Sequence, residues 1–178
     1  ARTRDALVRG CCVTPTQERK SAQLNALYAQ WAQCQACPLH KHRKQLWRGL
    51  GNPDAAVMFV LDRPALQDIL RGELQPSSVY VAILHDLITA AGLRPGDYWV
   101  TPTALCPTMT LHKRDWGVEM APTPRTPEAA ACRPRLCREI GIIEPELIVA
   151  CGPVAARALR PRNPVSLQYD CGRVVEAQ

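Results

Sequence analysis

Cys34-Gln35-Ala36-Cys37-Pro38-Leu39 constrains this chain more than any other stretch. A CxxC pair followed by Pro-Leu presents two soft ligands in one turn and needs partners from elsewhere. Two lie downstream: Cys106, in Thr-Ala-Leu-Cys-Pro, and Cys132, in Glu-Ala-Ala-Ala-Cys-Arg-Pro-Arg-Leu. Four thiolates drawn from a tight pair and two distant singles meet the needs of a tetrahedral zinc or a cubane iron–sulfur cluster, each of which takes four soft ligands around one small volume. The fold is therefore expected to close around a metal held by Cys34, Cys37, Cys106 and Cys132. Structural zinc usually takes two close CxxC pairs, whereas here the second pair is split across a loop into a helix. Single cysteines with a proline after or near each favour a [4Fe-4S] cluster, with zinc as the alternative.

The remaining cysteines do not read as disulfides. Nine is an odd count, and the N-terminus has Arg2, Arg4 and Arg9 but no following apolar core of a secretory signal. A reducing compartment is expected, the cytoplasm of a bacterial or virus-infected cell, with a virion as the other location. No apolar run reaches the roughly 18 residues that span a bilayer, so no membrane partner is expected. Twenty-two Lys and Arg against sixteen Asp and Glu give +6, which predisposes the surface to phosphate-rich partners such as DNA.

At 178 residues the chain suits one domain. Residues 1–16 read as a basic arm, ended by Thr14-Pro15-Thr16, that docks on a protein partner; residues 17–178 form the domain. Leu24, Leu27, Tyr28 and Trp31 share one face of a helix over 17–33 that delivers Cys34. A basic run, 39–47, follows, with Arg43 and Lys44 as candidate phosphate contacts. The apolar stretch 55–60 reads as a strand buried on both faces, which puts Asp62 at its carboxyl end, where open α/β sheets place their ligand crevice. A helix over 79–91, a strand over 97–101, a loop over 107–125 with Lys113, Arg114 and Trp116 at its tip, a helix over 126–140, a strand over 146–151 and a short helix over 154–159 complete the pattern, with one more strand around Arg173-Val174-Val175. Lys113 and Arg114 beside Trp116 are candidate nucleic-acid contacts. Alternating strands and helices predict an α/β fold, a three-layer α/β/α sandwich around a mainly parallel sheet.

These landmarks resemble the iron–sulfur uracil-DNA glycosylases of family 4, related to phage polymerase-associated proteins. The resemblance covers about residues 24–173 and rests on Cys34-to-Leu39, Gly51-Asn52-Pro53 with the strand to Val60, Thr101 to Cys106-Pro107, the Thr126–Leu136 helix, and Pro145 to Ala155. It implies a uracil-DNA glycosylase-like fold whose cluster, held by Cys34, Cys37, Cys106 and Cys132, is mainly structural and supports a DNA-facing surface. It also implies where the chemistry should lie, and there the chain departs. The family's Gly-Glu-Ala-Pro-Gly type loop reads Leu61-Asp62-Arg63-Pro64-Ala65, keeping a carboxylate in Asp62 but neither glycine. Leu74 stands where an aromatic would stack on uracil, Pro102 stands where an Asn would read the base, and no His-Pro-Ser type loop precedes Gln178.

Two readings follow. One is a catalytically silent member acting as a DNA- or protein-binding module; the non-enzymatic psi subunit of bacterial DNA polymerase III, which Val57–Asp68 and Val100–Pro102 partly resemble, is such a precedent, and a viral structural component is another. The other is an active uracil-DNA glycosylase in which Asp62 positions water or steadies an oxocarbenium-like sugar. The plainer role for Asp62 is a turn-capping carboxylate.

Overall fold

A computed structural model describes residues 14–43, 46–63, 79–94, 96–106, 112–113, 119–120, 123–124, 126–161 and 164–175. Helix α1 spans Pro15–Ala32 and starts before the expected Gln17. The reason is local. Thr14 Oγ1 accepts from Gln17 N at 3.2 Å while Gln17 Oε1 accepts from Thr14 N at 2.9 Å, a reciprocal capping box, and Pro15 occupies the first turn, where its missing N–H is no loss. The end of the predicted arm, residues 14–16, is thus the start of a helix, and residues 1–13 lie outside the described residues. Leu24, Leu27 and Tyr28 are buried, as their spacing predicts, and so is Lys20. Its Nζ donates to Ile143 O at 2.8 Å and Asp54 Oδ1 at 2.9 Å, satisfying a carbonyl at the end of helix α3 (Thr126–Ile143).

The sheet forms from β1 (Leu50–Gly51), β2 (Val57–Leu61), β3 (Tyr98–Pro102) and β6 (Leu147–Cys151), in the order β1-β3-β2-β6. Central β2 runs parallel to both neighbours, with Phe59 beside Val100 and Val149, and β1 is antiparallel to β3. The alternation along β2 explains why the strand reads as continuously apolar. Met58 and Val60 join a core with Leu24, Tyr28, Leu136 and Ala155, while Phe59 and Leu61 join a second core with Val100 and Ile88. Ile88 belongs to α2 (Val79–Ala90), so helices cover both faces and the α/β fold is the expected one.

Two expectations are corrected. Within 107–125, His112–Lys113 (β4) pairs antiparallel with Glu119–Met120 (β5), so part of the predicted loop is a small hairpin. The predicted strand around Arg173-Val174-Val175 does not form: these residues follow a short helix α5 (Leu167–Asp170), and Val174 is 87% exposed. Two adjacent valines without a facing strand bury too little to hold an extended conformation. Helix α3 runs to Ile143 rather than Ile140 and passes through Pro134, which is exposed, so the backbone acceptor it leaves unpaired faces water. Helix α4 spans Pro153–Leu159.

Candidate metal centre and strand-end crevice

Three separate elements bring the cysteines together. The exit of α1 supplies Cys34, whose amide donates to Trp31 O at 3.0 Å, and Cys37 precedes a single 3-10 segment, Pro38–His42. The chain leaving β3 supplies Cys106, and the second turn of α3 supplies Cys132. All four thiols are partly buried and line one pocket, flanked by Ala36, Leu39, Leu105 and Ala131. Burial pushes the Cys37 and Cys106 thiols above their ordinary range, and neighbouring Cys132 pushes in the same direction, as closely set thiols must. Among the described residues no three His, Cys, Asp or Glu side chains converge tightly enough to grip a single metal ion.

The Arg43 guanidinium lies beside these thiols. Arg43 Nη1 donates to Cys106 Sγ at 3.4 Å and to Cys34 O at 3.1 Å, and Nη2 donates to Ala32 O at 2.5 Å. Trp31 lines the same pocket, and its Nε1 is buried with no acceptor. Four partly buried thiols with a guanidinium donating to one of them form the kind of surrounding that a sulfur-rich, negatively charged group needs, so the residues present fit an iron–sulfur cluster.

Behind Cys132 lies a buried polar network that the sequence reading did not find. Arg135 is fully buried, and its Nη1 donates to Glu139 Oε2 at 2.5 Å and Thr101 Oγ1 at 3.1 Å. Its Nη2 donates to Pro102 O at 2.6 Å and Thr103 O at 2.7 Å, and lies 3.9 Å from Cys132 Sγ. Burial works against the guanidinium charge, but Glu139, Cys132 and Tyr28 together outweigh it and raise the pKa. Glu139 Oε1 in turn accepts from Trp99 Nε1 at 2.7 Å and Tyr28 OH at 2.9 Å. Gly49 is required where it stands, since a Cβ there would sit 2.5 Å from both Glu139 Oε1 and Trp99 Nε1. The network ties α3 to the end of β3 and to α1. Its signal in the sequence is Arg135 and Glu139 four apart on the same stripe as Leu136 and Ile143, opposite charges on an inward helix face.

The carboxyl ends of β2, β3 and β6 lie side by side, Leu61 beside Pro102 and Cys151, which is where parallel topology places a ligand crevice. Asp62 is 8% exposed there, and its Oδ1 accepts from Ala155 N, in the first turn of α4, at 2.8 Å. Helix α4 has Gly152 as its N-cap residue, at φ 127°, and a Cβ there would lie 2.4 Å from Asp62 Cγ. Glycine is needed twice over, for the backbone angle and for room. Having no side chain to cap its own helix, it leaves that role to Asp62 from the neighbouring strand. Burial raises the Asp62 pKa, while the amides of Ala155 and Val154 and the charges of Arg63 and Arg157 pull it back only in part. Nearby Cys151 is pushed to about 11, by burial first and by Asp62 second, so it stays a neutral thiol.

A scan against protein-family models finds no match. The chain is 32% identical over 130 residues to the type-4 uracil-DNA glycosylase of Pyrobaculum aerophilum, which covers 71% of this chain and 59% of that protein. It is 31% identical over 124 residues to the enzyme of the same name from Archaeoglobus fulgidus, covering 70% and 57%. A third, from Thermotoga maritima, is 31% identical over 125 residues, covering 68% and 58%. This chain belongs to the type-4 uracil-DNA glycosylase superfamily. It spans less than two thirds of the length of these relatives.

For this superfamily member, the residues singled out in the sequence now divide. Cys34, Cys37, Cys106 and Cys132 come together. Asp62 sits at the crevice, but as a helix cap. Arg43, expected to face a phosphate backbone, turns over the cysteine loop because Ala32 O and Cys34 O, at and beyond the end of α1, need a donor. Lys113 lies in β4. Lys44, Arg114, Trp116 and Leu74 lie outside the described residues.

Proposed function

We propose that this protein holds a [4Fe-4S] cluster through Cys34, Cys37, Cys106 and Cys132 and binds DNA at its strand-end crevice without excising uracil. The cluster's contribution is structural, a four-point tie between the exit of α1, the exit of β3 and α3. Zinc is the less favoured occupant, because structural zinc usually takes two close CxxC pairs, whereas Cys106 and Cys132 come singly from separate elements.

One observation carries the silence. At the crevice, Asp62 Oδ1 is engaged by Ala155 N as a cap, and Pro102 offers neither a side-chain donor nor an N–H, its carbonyl accepting from Arg135. A site that recognises uracil by hydrogen bonds needs donors and acceptors free to point at the base; Pro102 offers no donor, and one Asp62 oxygen is committed to the helix. The alternative, an active glycosylase working through Asp62, is favoured by the names of its relatives. Residues 1–16 are the segment proposed to dock a protein partner.

Base release from single-stranded and duplex uracil DNA, by anaerobically purified protein whose iron has been counted, decides between the readings. The expected result is about four iron atoms per chain, DNA binding that weakens with salt, and no free uracil. Multiple-turnover release would establish the active reading instead.

A further inference from the structure

A second feature of the surface lies beside the crevice and away from the cysteines. Between α3 and α4 is a cavity of about 220 Å³ whose lining includes Arg133, Arg157, Arg160 and Thr126. Among the described residues its lining holds three arginines and no carboxylate. Arg133 is oriented by its Nε, which donates to Ala158 O at 2.8 Å across the helix pair. None of the three arginines has an ion-pair partner among the described residues. Arg157 is exposed, and Arg133 and Arg160 are half-buried.

Gathering three like charges on two helices repels, and surface cations in folded proteins are ordinarily interspersed with acids. An anion relieves the repulsion, and the planar fork of arginine matches the oxygens of a phosphate better than any other side chain. Thr126 adds a hydroxyl, and Val154, Pro161 and Val165 supply apolar walls of the kind that accept a sugar face. The position decides which phosphate. Val154 lines the cavity and adjoins Ala155, whose amide donates to Asp62 at 2.8 Å, so the cavity lies next to the carboxyl end of β2.

We propose that Arg133, Arg157 and Arg160 form a phosphodiester-binding subsite that grips the backbone of the DNA strand running past the crevice. The subsite rests on the DNA-binding reading above and adds to it where the strand is held. It assigns the phosphate contacts to the α3–α4 side of the molecule, and removes Arg43 from them.

The test uses a fluorescent thymidine 20-mer without uracil, full-length protein with counted iron, and anisotropy titrations over a series of KCl concentrations. For single strands, each lost phosphate contact lowers the slope of log affinity against log salt by about 0.7. The Arg157→Gln/Arg160→Gln double variant should therefore lose about 1.4 from that slope, with binding weakened and iron content and helicity unchanged. Arg133 is left in place because it also joins the two helices. Arg19→Gln, on exposed α1, removes a charge elsewhere and should leave the slope as in the wild type. An unchanged slope in the double variant, or an equal loss in Arg19→Gln, would overturn the subsite while leaving DNA binding intact. A wild type that binds no oligonucleotide would overturn the DNA reading and the subsite with it.

Discussion

At the scale of single residues, Asp62 is where chemistry and architecture compete. Its folded pKa is raised, chiefly by burial. A carboxyl group shifted upward favours the fold in its neutral form, so its contribution is full below the ordinary carboxylate range near 4 and is lost as pH rises through the folded value. Asn keeps the oxygen that accepts from Ala155 and cannot ionise. Asp62→Asn should match the wild type in urea denaturation at low pH and exceed it at pH 7. A catalytic carboxylate would instead show its loss in uracil release, with no such crossover in stability. The sequence alone shows an acid after a buried strand; that it caps a helix 91 residues on, from Asp62 to Pro153, depends on a pairing that only the fold makes. Arg135 and Glu139 were hidden for a related reason. Charged residues at helical spacing read as a solvated face, and only the burial of Tyr28 and Trp99 around them makes that stripe an inward one.

At the scale of elements, the parts legible in the sequence were those set by local chemistry. Runs 55–60, 97–101 and 146–151 are apolar and bounded by turn residues, and each is a strand within two residues of the expected limits. Helix α1 was displaced because the capping box formed by Thr14 and Gln17 was read as the end of an arm. That box is a local signal, and it carries a local prediction. Thr14→Ala removes the acceptor for Gln17 N and half of the reciprocal pair. It should destabilise the protein by about 1 kcal/mol, seen as a lower urea midpoint with an unchanged slope. Thr14→Ser should restore most of the difference. A variant as stable as the wild type would mean that α1 is held by Leu24, Leu27 and Tyr28 alone. The failed strand at 173–175 marks the opposite limit, since two valines satisfy a propensity but not the need for a neighbour.

At the scale of the molecule, the spacing of the four cysteines points to a shared centre, and the fold brings all four to one pocket. Cys34 and Cys37 close the exit of α1, Cys106 follows β3, and Cys132 lies on α3, whose Arg135 reaches back to the end of β3. A group bound by all four joins elements separated by long loops, so its binding energy becomes folding energy for the whole domain. Cys132 and Cys137 make the decisive comparison, because both lie on α3 and only the first faces the pocket, Cys137 being exposed. Cys132→Ala should lose the iron and the brown colour and unfold at lower temperature. Cys137→Ala should keep all three properties. The loss must also be shown to come from the cluster and not from a side chain removed from the core. Stripped of iron, the wild type and Cys132→Ala should therefore unfold at the same temperature, and the gap between them should open only when iron and sulfide are restored. A Cys132→Ala protein that retains its iron would remove Cys132 from the ligand set. One that is less stable even without iron would make Cys132 a packing residue, and the tie between α1, β3 and α3 would rest on the Arg135 network alone.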